Sequence, residues 1–271
     1  MEAGASTGLG RPLPDADVPA PRTPFSLVGR AAFVTGAAQG LGAAIARSLA
    51  EAGAQVALAD LDSSVHSVAG ALGAEGHDCF GLTLDVRDEA AFQDAFDLAR
   101  QRFARIDVMV NNAARTPTTS LWDIDAAEWD DVLAVNLRGT FFGCRIAGRH
   151  MREQGAGRIV NLGSLAGQQP SAATGVHYAA SKAGIGALTR TFAQELAPHG
   201  VTVNTLAPAA VQGPMLQSLP DERRRALQVA VPLQRFGEPE EVGAAVVYLA
   251  SAAAAFVTGT TLDLNGGRFM R

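Results

Sequence analysis

From Gly29 onward the chain alternates short apolar runs with longer amphipathic stretches, and few folds accept that alternation. The runs at 31–35, 55–59, 79–84, 108–110, 158–162, 201–206 and 261–263 read as strands. Between them, 41–51, 89–103, 126–151, 178–196 and 238–250 carry apolar residues at helical spacing. A strand, a helix and a further strand in succession make a right-handed crossover, so the strands lie parallel. Helices then cover both faces of the sheet, and strands buried on both faces are continuously apolar. The expected fold is a single doubly wound, Rossmann-type α/β domain over residues 28–271, with no repeat or internal linker.

The first 27 residues differ. Pro12, Pro14, Pro19, Pro21 and Pro24 fall in a Gly- and Ala-rich stretch that cannot build a core, so 1–27 is expected to be a disordered tail. It lacks the apolar stretch of a secretory signal, and Glu2, Asp15 and Asp17 are out of keeping with a transit peptide. A net charge of -5 argues against nucleic acid or an anionic membrane as partner. The longest apolar runs, such as 244–250, fall short of the roughly 20 residues a membrane helix needs. Cys79 and Cys144 are too few for a disulfide framework or a metal cluster, so no metal is expected. A cytoplasmic protein with a small-molecule substrate is the expectation.

Thr35-Gly36-Ala37-Ala38-Gln39-Gly40-Leu41-Gly42 stands between the first strand and the first helix. Glycines there permit a tight turn and let the backbone approach a pyrophosphate seated on the helix N-terminus. Gly36, Gln39, Gly40, Leu41 and Gly42 are the candidate contacts. Asp60, at the end of the second strand, can accept hydrogen bonds from an adenosine ribose, and its charge repels a 2′-phosphate. Neither Gln39 nor Leu61 supplies a cation for that phosphate, so NAD(H) is preferred over NADP(H). Asp85 and Val86, after the third strand, are placed to meet the adenine edge.

Tyr178 and Lys182 lie four residues apart in an Ala-rich helical stretch, on one face about a turn apart. A phenol beside an ammonium is a proton-transfer pair in which the positive charge is expected to lower the tyrosine pKa. Ser164 stands fourteen positions upstream.

Taken together, these residues resemble the short-chain dehydrogenase/reductase family, in its compact branch. The match runs over nearly all of 29–271: the 35–42 loop, Asn111-Asn112-Ala113-Ala114, Asn136, Ser164, Tyr178, Lys182, Asn204, Pro208 and Asn265-Gly266-Gly267. The resemblance implies a seven-stranded sheet ordered 3-2-1-4-5-6-7 and a homo-oligomer, a tetramer before a dimer, built partly from the helices of Asn136 and Tyr178. It implies Tyr178 as general acid/base, Lys182 lowering its pKa and holding the nicotinamide ribose, and Ser164 fixing the substrate oxygen. It also implies that Asn136 holds a water linking Lys182 to solvent. Asn112, Ala113, Ala114, Pro208 and Val211 join the cofactor contacts. The chain departs from the family in three places. Ala114 replaces a usual glycine, Gly163 a second serine, and Gly213 the threonine that anchors the nicotinamide carboxamide, leaving more of that contact to Val211.

The substrate pocket is expected from 115–122, 165–177 and a lid over 211–236. The lid carries Met215, Leu216, Leu219 and Leu227 beside the polar run Asp221-Glu222-Arg223-Arg224-Arg225. Apolar residues dominate, with Gln168, Gln169 and His177 as neutral polar groups, which favours a neutral alcohol or ketone over a small carboxylate. Three functions stay open: a secondary-alcohol dehydrogenase or ketone reductase, a 3-oxoacyl-carrier or coenzyme A reductase, and a non-catalytic NAD(H) sensor on the same fold.

Overall fold

The strands expected from the apolar runs assemble side by side in a computed structural model, which describes residues 23–271 apart from 172, 218 and 219. Among the described residues seven strands form one sheet, all parallel, in the order β3-β2-β1-β4-β5-β6-β7. They are β1 Ala31–Thr35, β2 Gln55–Asp60, β3 Cys79–Thr83, β4 Val108–Asn111, β5 Gly157–Leu162, β6 Val201–Pro208 and β7 Thr261–Leu264. The strand order matches the one implied by the resemblance, and most boundaries shift by a residue or two.

The pleat sorts the side chains. Ala32 and Val34 face a core shared with α1 (Gly40–Glu51), α2 (Val65–Ala74) and α9 (Pro239–Ala250). Ala31 and Phe33 face the opposite core, where Phe33 stacks on Phe92 at 6.0 Å among residues of α3 (Glu89–Phe103), α5 (Gly139–Gln154) and α6 (Val176–Leu196). Both faces are therefore covered, as an all-parallel sheet requires. The α3 start is set by Asp88, which accepts from the Ala91 N–H at 3.0 Å, and basic Arg100 and Arg102 close its last turn.

Three expectations need correction. The stretch 126–151 is not one regular helix: α4 (Ala126–Leu133) passes through a π-helical turn, Ala134–Arg138, into α5. Helix α2 was not anticipated, because Gly70 and Gly73 weaken a pattern carried only by Val65, Ala69 and Leu72. Within the expected tail, 1–22 lies outside the described residues, but Leu27 is buried and its N–H donates to Ala52 O at 2.8 Å. Phe25 packs on Tyr248, so the chain is already part of the domain before residue 28. Among the described residues no helix is long and apolar enough to cross a membrane.

The strand order reverses between β1 and β4. The loops leaving their C-terminal ends run apart there and open a crevice, the usual ligand position in such sheets.

Candidate active site

The crevice is a cleft of about 690 Å³, and every residue expected to hold the cofactor lines it. Its floor is the glycine loop. A Cβ at Gly42 would sit 1.9 Å from Gly36 O, and Gly36 has φ +67° with Ala113 Cα 2.7 Å from where its own Cβ would be. The tight backbone path thus excludes side chains at both positions. Thr35 Oγ1 accepts from the N–H groups of Asn112 and Ala113 at 3.1 Å, while Asn112 Nδ2 donates to Thr35 O and Gly36 O at 2.9 Å. Asn112 therefore holds the loop in shape. Helix α1 begins without a side-chain cap, so the N–H groups of its first turn are available to an anion. A pyrophosphate fits this cradle.

At the β2 end, Asp60 Oδ2 accepts from Ala38 N at 2.9 Å and Oδ1 from Asp62 N at 3.0 Å. The carboxylate both braces the loop and lines the cleft. Asp85 lines it too, but Arg87 binds the Asp85 carboxylate at 2.7 Å and holds its pKa below the usual carboxylate value. Arg87 also reaches Asp131 at 2.6 Å, and Arg115 pairs with the same Asp131. Arg87 thus already pairs with the Asp85 carboxylate, and Val86, next to it in the chain, also lines the cleft.

Ser164, Tyr178 and Lys182 meet on the same cleft wall. Ser164 follows β5 and is oriented by accepting from Ala166 N at 3.1 Å. The Tyr178 ring keeps some surface on the cleft, but its hydroxyl lies deep among protein atoms. That burial raises its pKa, and the hydroxyls of Ser164 and Thr116, which donate toward it, oppose the rise. Lys182 Nζ lies 5.6 Å from the Tyr178 ring centroid and donates to Leu162 O at 2.7 Å. Burial depresses the Lys182 pKa to about 8. Burial thus sets the direction of the Tyr178 shift, upward, against the lowering expected from the neighbouring ammonium.

Asn136 is fully buried behind this wall, in the π-helical turn, a frequent position for functional residues. Its Oδ1 accepts from Arg115 N at 2.7 Å, and its Nδ2 donates to Arg115 O at 3.0 Å and Ser181 Oγ at 3.1 Å. Ser181 Oγ in turn donates to Tyr178 O at 2.7 Å. The side chain thus ties the chain after β4 to the first turn of α6.

The expected substrate wall is partly redrawn. Arg115, Thr116 and Thr118 line the cleft, whereas Leu121 and Trp122 project to solvent. His177 is fully buried, not in the pocket. Its Nδ1 accepts from Tyr178 N at 3.0 Å, so Nε2 carries the proton and donates to Glu128 Oε1 at 2.7 Å. Gln168 turns away to Asp263 at 2.6 Å, leaving Gln169, Ser171 and Thr174 as polar lining. From the lid, whose helices are α7 (Pro214–Gln217) and α8 (Asp221–Val229), Leu216 and Leu227 line the cleft. Leu219 lies outside the described residues, and the side chain of Met215 is not described. The lid base is closed where Val211 bridges Gly237. Helix α8 buries no residue, and Arg224 pairs with Asp221 at 2.7 Å. Leu162 and Arg268 are among the lining residues that the sequence did not single out. Each comes from a loop or strand end whose facing no periodicity reveals.

A family model described as enoyl-(acyl carrier protein) reductase matches residues 36–268. The 3-oxoacyl-[acyl-carrier-protein] reductase of Vibrio cholerae is 39% identical over 247 residues, covering 91% of this chain and 100% of that protein. The cis-4-hydroxycyclohexanecarboxylate dehydrogenase of Sinomonas cyclohexanicum is 40% identical over 239 residues, 88% of this chain and 96% of the relative. Among solved structures, a putative NAD(P)-dependent gluconate 5-dehydrogenase from Beutenbergia cavernae, with NADP bound at low occupancy, superposes with a TM-score of 0.86. It is 35% identical and covers 91% of this chain and 99% of that one.

Proposed function

The chain belongs to the short-chain dehydrogenase/reductase family, and we propose that Tyr178, Ser164 and Lys182 carry its catalysis, with NAD(H) preferred over NADP(H). Membership makes it an oxidoreductase acting on CH–OH groups with NAD(P) as cofactor. The substrate pair is a secondary alcohol and its ketone.

The glycine loop and the open α1 N-terminus would hold the pyrophosphate, Asp60 the adenosine ribose, Lys182 the nicotinamide ribose, and Pro208 and Val211 the carboxamide side. When bound, the nicotinamide supplies or accepts the hydride. In reduction, Tyr178 gives its phenolic proton to the carbonyl oxygen; in oxidation its phenolate takes the hydroxyl proton. Ser164 donates to the substrate oxygen and stabilises charge developing there. The charged Lys182 stabilises the phenolate once the proton has left. Asn136 fixes the position of Tyr178 through Ser181, beside the water-holding role the resemblance implies. The observation that carries this reading is the convergence of the Ser164, Thr116 and Tyr178 hydroxyls on one cleft wall beside Lys182.

Preference for NAD(H) rests on Asp60 and on the pairing of Arg87 with two carboxylates, which among the described residues leaves no unpaired cation at that end of the cleft. A homo-oligomer, tetramer before dimer, is supported by an exposed groove lined by Leu133, Leu137, Phe141 and Leu188. Light scattering on the purified protein tests it, and a monomer refutes it.

A 3-oxoacyl-thioester reductase is the second reading, favoured by the Vibrio cholerae relative, which is matched over its whole length. A panel of secondary alcohols, ketones and 3-oxoacyl thioesters, followed at the reduced-nicotinamide absorption band with NAD and NADP compared, separates the two. Turnover of simple alcohols with NAD supports the first reading; activity confined to thioesters with NADPH supports the second. Binding of NADH without turnover of any member favours a sensor.

A further inference from the structure

Arg268 lines the same cleft as Ser164 and Tyr178, and it is placed there by a built loop. Asn265 is buried, accepts from Gly267 N at 2.9 Å and donates to Phe269 O at 2.9 Å, so its side chain shapes the turn that presents Arg268. Two further sets of contacts hold that turn at the substrate end. On one side Arg271 binds Asp263 at 2.9 Å and Gln168 at 2.6 Å, and Gln168 binds Asp263, tying the C-terminal segment to the turn after Ser164. On the other side Leu233 N donates to Gly266 O at 3.1 Å, tying it to the base of the lid. Strand β7, which delivers the loop, lies at the opposite edge of the sheet from β2 and β3, whose ends form the adenosine side.

The charges of the cleft wall are otherwise accounted for. Arg87 and Arg115 are paired with Asp85 and Asp131, and Lys182 is bonded to Leu162 O. Asp60 accepts from two backbone N–H groups, and Asp263 is held by Arg271 and Gln168. Among the described residues Arg268 has no carboxylate against its guanidinium. A guanidinium held in a concave site with no counter-charge focuses positive potential there and presents a planar fork that matches carboxylate or phosphate oxygens. Gln169, Ser171 and Thr174 supply neutral hydrogen-bonding groups in the same cleft.

We propose that Arg268 is the residue that selects an anionic substrate, one bearing a carboxylate or phosphate away from the carbon that exchanges hydride. This rests on the oxidoreductase reading above and replaces the neutral substrate expected from the sequence, which left Arg268 out. The recognised chemistry is an anionic oxygen pair, and it has two possible sources: a carboxylate on the substrate itself or a phosphate on a carrier arm.

The test uses the full chain saturated with NADH or NAD and its Arg268→Gln and Arg268→Lys variants. The probes are matched pairs differing in the anion. Gluconate with gluconamide, and 4-hydroxycyclohexanecarboxylate with its carboxamide, form one arm. 3-Oxobutyryl-coenzyme A with the corresponding N-acetylcysteamine thioester forms the other. Binding by calorimetry and kcat/KM are both read. The parent is expected to prefer the anionic member of one arm by roughly 10- to 100-fold, the scale of a charge-assisted hydrogen bond. Arg268→Gln is expected to bring that ratio toward one through KM, and Arg268→Lys to restore part of it. A preference in the acid arm identifies the carboxylate, and one confined to the thioester arm identifies the phosphate. A parent with no preference in either arm, or a glutamine variant that keeps it, overturns the proposal. So does a glutamine variant whose NADH affinity falls instead. Calorimetry keeps the outcome separate from the reading beneath it: selective binding of an anion without turnover sustains the role of Arg268 and refutes the proposed reaction.

Discussion

Replacing Lys182 by methionine should abolish turnover and change how stability depends on pH. Lys182 is buried at 5% exposure, with its Nζ donating to Leu162 O at 2.7 Å, and burial lowers its pKa from 10.5 to about 8. The folded value lies below the unfolded one. Between pH 8 and 10.5 the unfolded chain therefore holds more protons, and the parent gains stability as pH rises. Below pH 8 both states are protonated and the cost of the buried ammonium is fully present, about 3 kcal/mol at roughly 1.4 kcal/mol per pKa unit. Methionine removes that cost but leaves the Leu162 carbonyl without its donor, a loss of about 1–3 kcal/mol. At pH 7 the variant should thus be more stable by only about 0–2 kcal/mol. The pH dependence of the difference is the sharper quantity, because the other titrating groups cancel in it. Lys182→Met should lose about 2 kcal/mol of its advantage over the parent between pH 7 and 9.5. Urea unfolding of both proteins across that range measures it. A stability difference that stays flat with pH would refute the depressed Lys182 pKa and the desolvation of its ammonium.

Three further substitutions probe the surroundings of the site. Gly42→Ala should weaken NADH binding at least about tenfold in fluorescence titration, because its Cβ would meet Gly36 O at 1.9 Å; unchanged affinity would contradict the loop geometry. Gly213→Thr should tighten NADH binding, since a Cβ there meets nothing within 4 Å and the hydroxyl replaces the one the family uses; equal or weaker affinity counts against it. Glu128→Ala should lower the urea midpoint, because it removes the acceptor of the buried His177 Nε2–H. An unaltered midpoint would show that the pair contributes nothing.

The sheet was legible because its signal is local and repeated: apolar runs ending in Asp60, in the glycine loop and in Asn111-Asn112 mark strand ends without knowledge of the packing. Residues defined by a backbone requirement, such as Gly36 and Gly42, were legible for the same reason. Residues defined by which way a loop side chain faces were not. His177 and Gln168 look like pocket groups in the sequence, yet the structure turns one to Glu128 and the other to Asp263. Arg268 is the converse case, hidden near the end of the chain and carried to the cleft by β7. The sign of the Tyr178 shift was also out of reach. Four-residue spacing states that two groups are near, whereas the pKa depends on how deeply both are buried.

The central claim is that Tyr178 moves the proton while the rest of the cleft binds. Tyr178→Phe removes one oxygen and keeps the ring. The account predicts that kcat falls by about 10²–10⁴ or more while the NADH dissociation constant, measured by fluorescence on the same preparation, stays within about twofold. Turnover retained at the parent rate would contradict it directly.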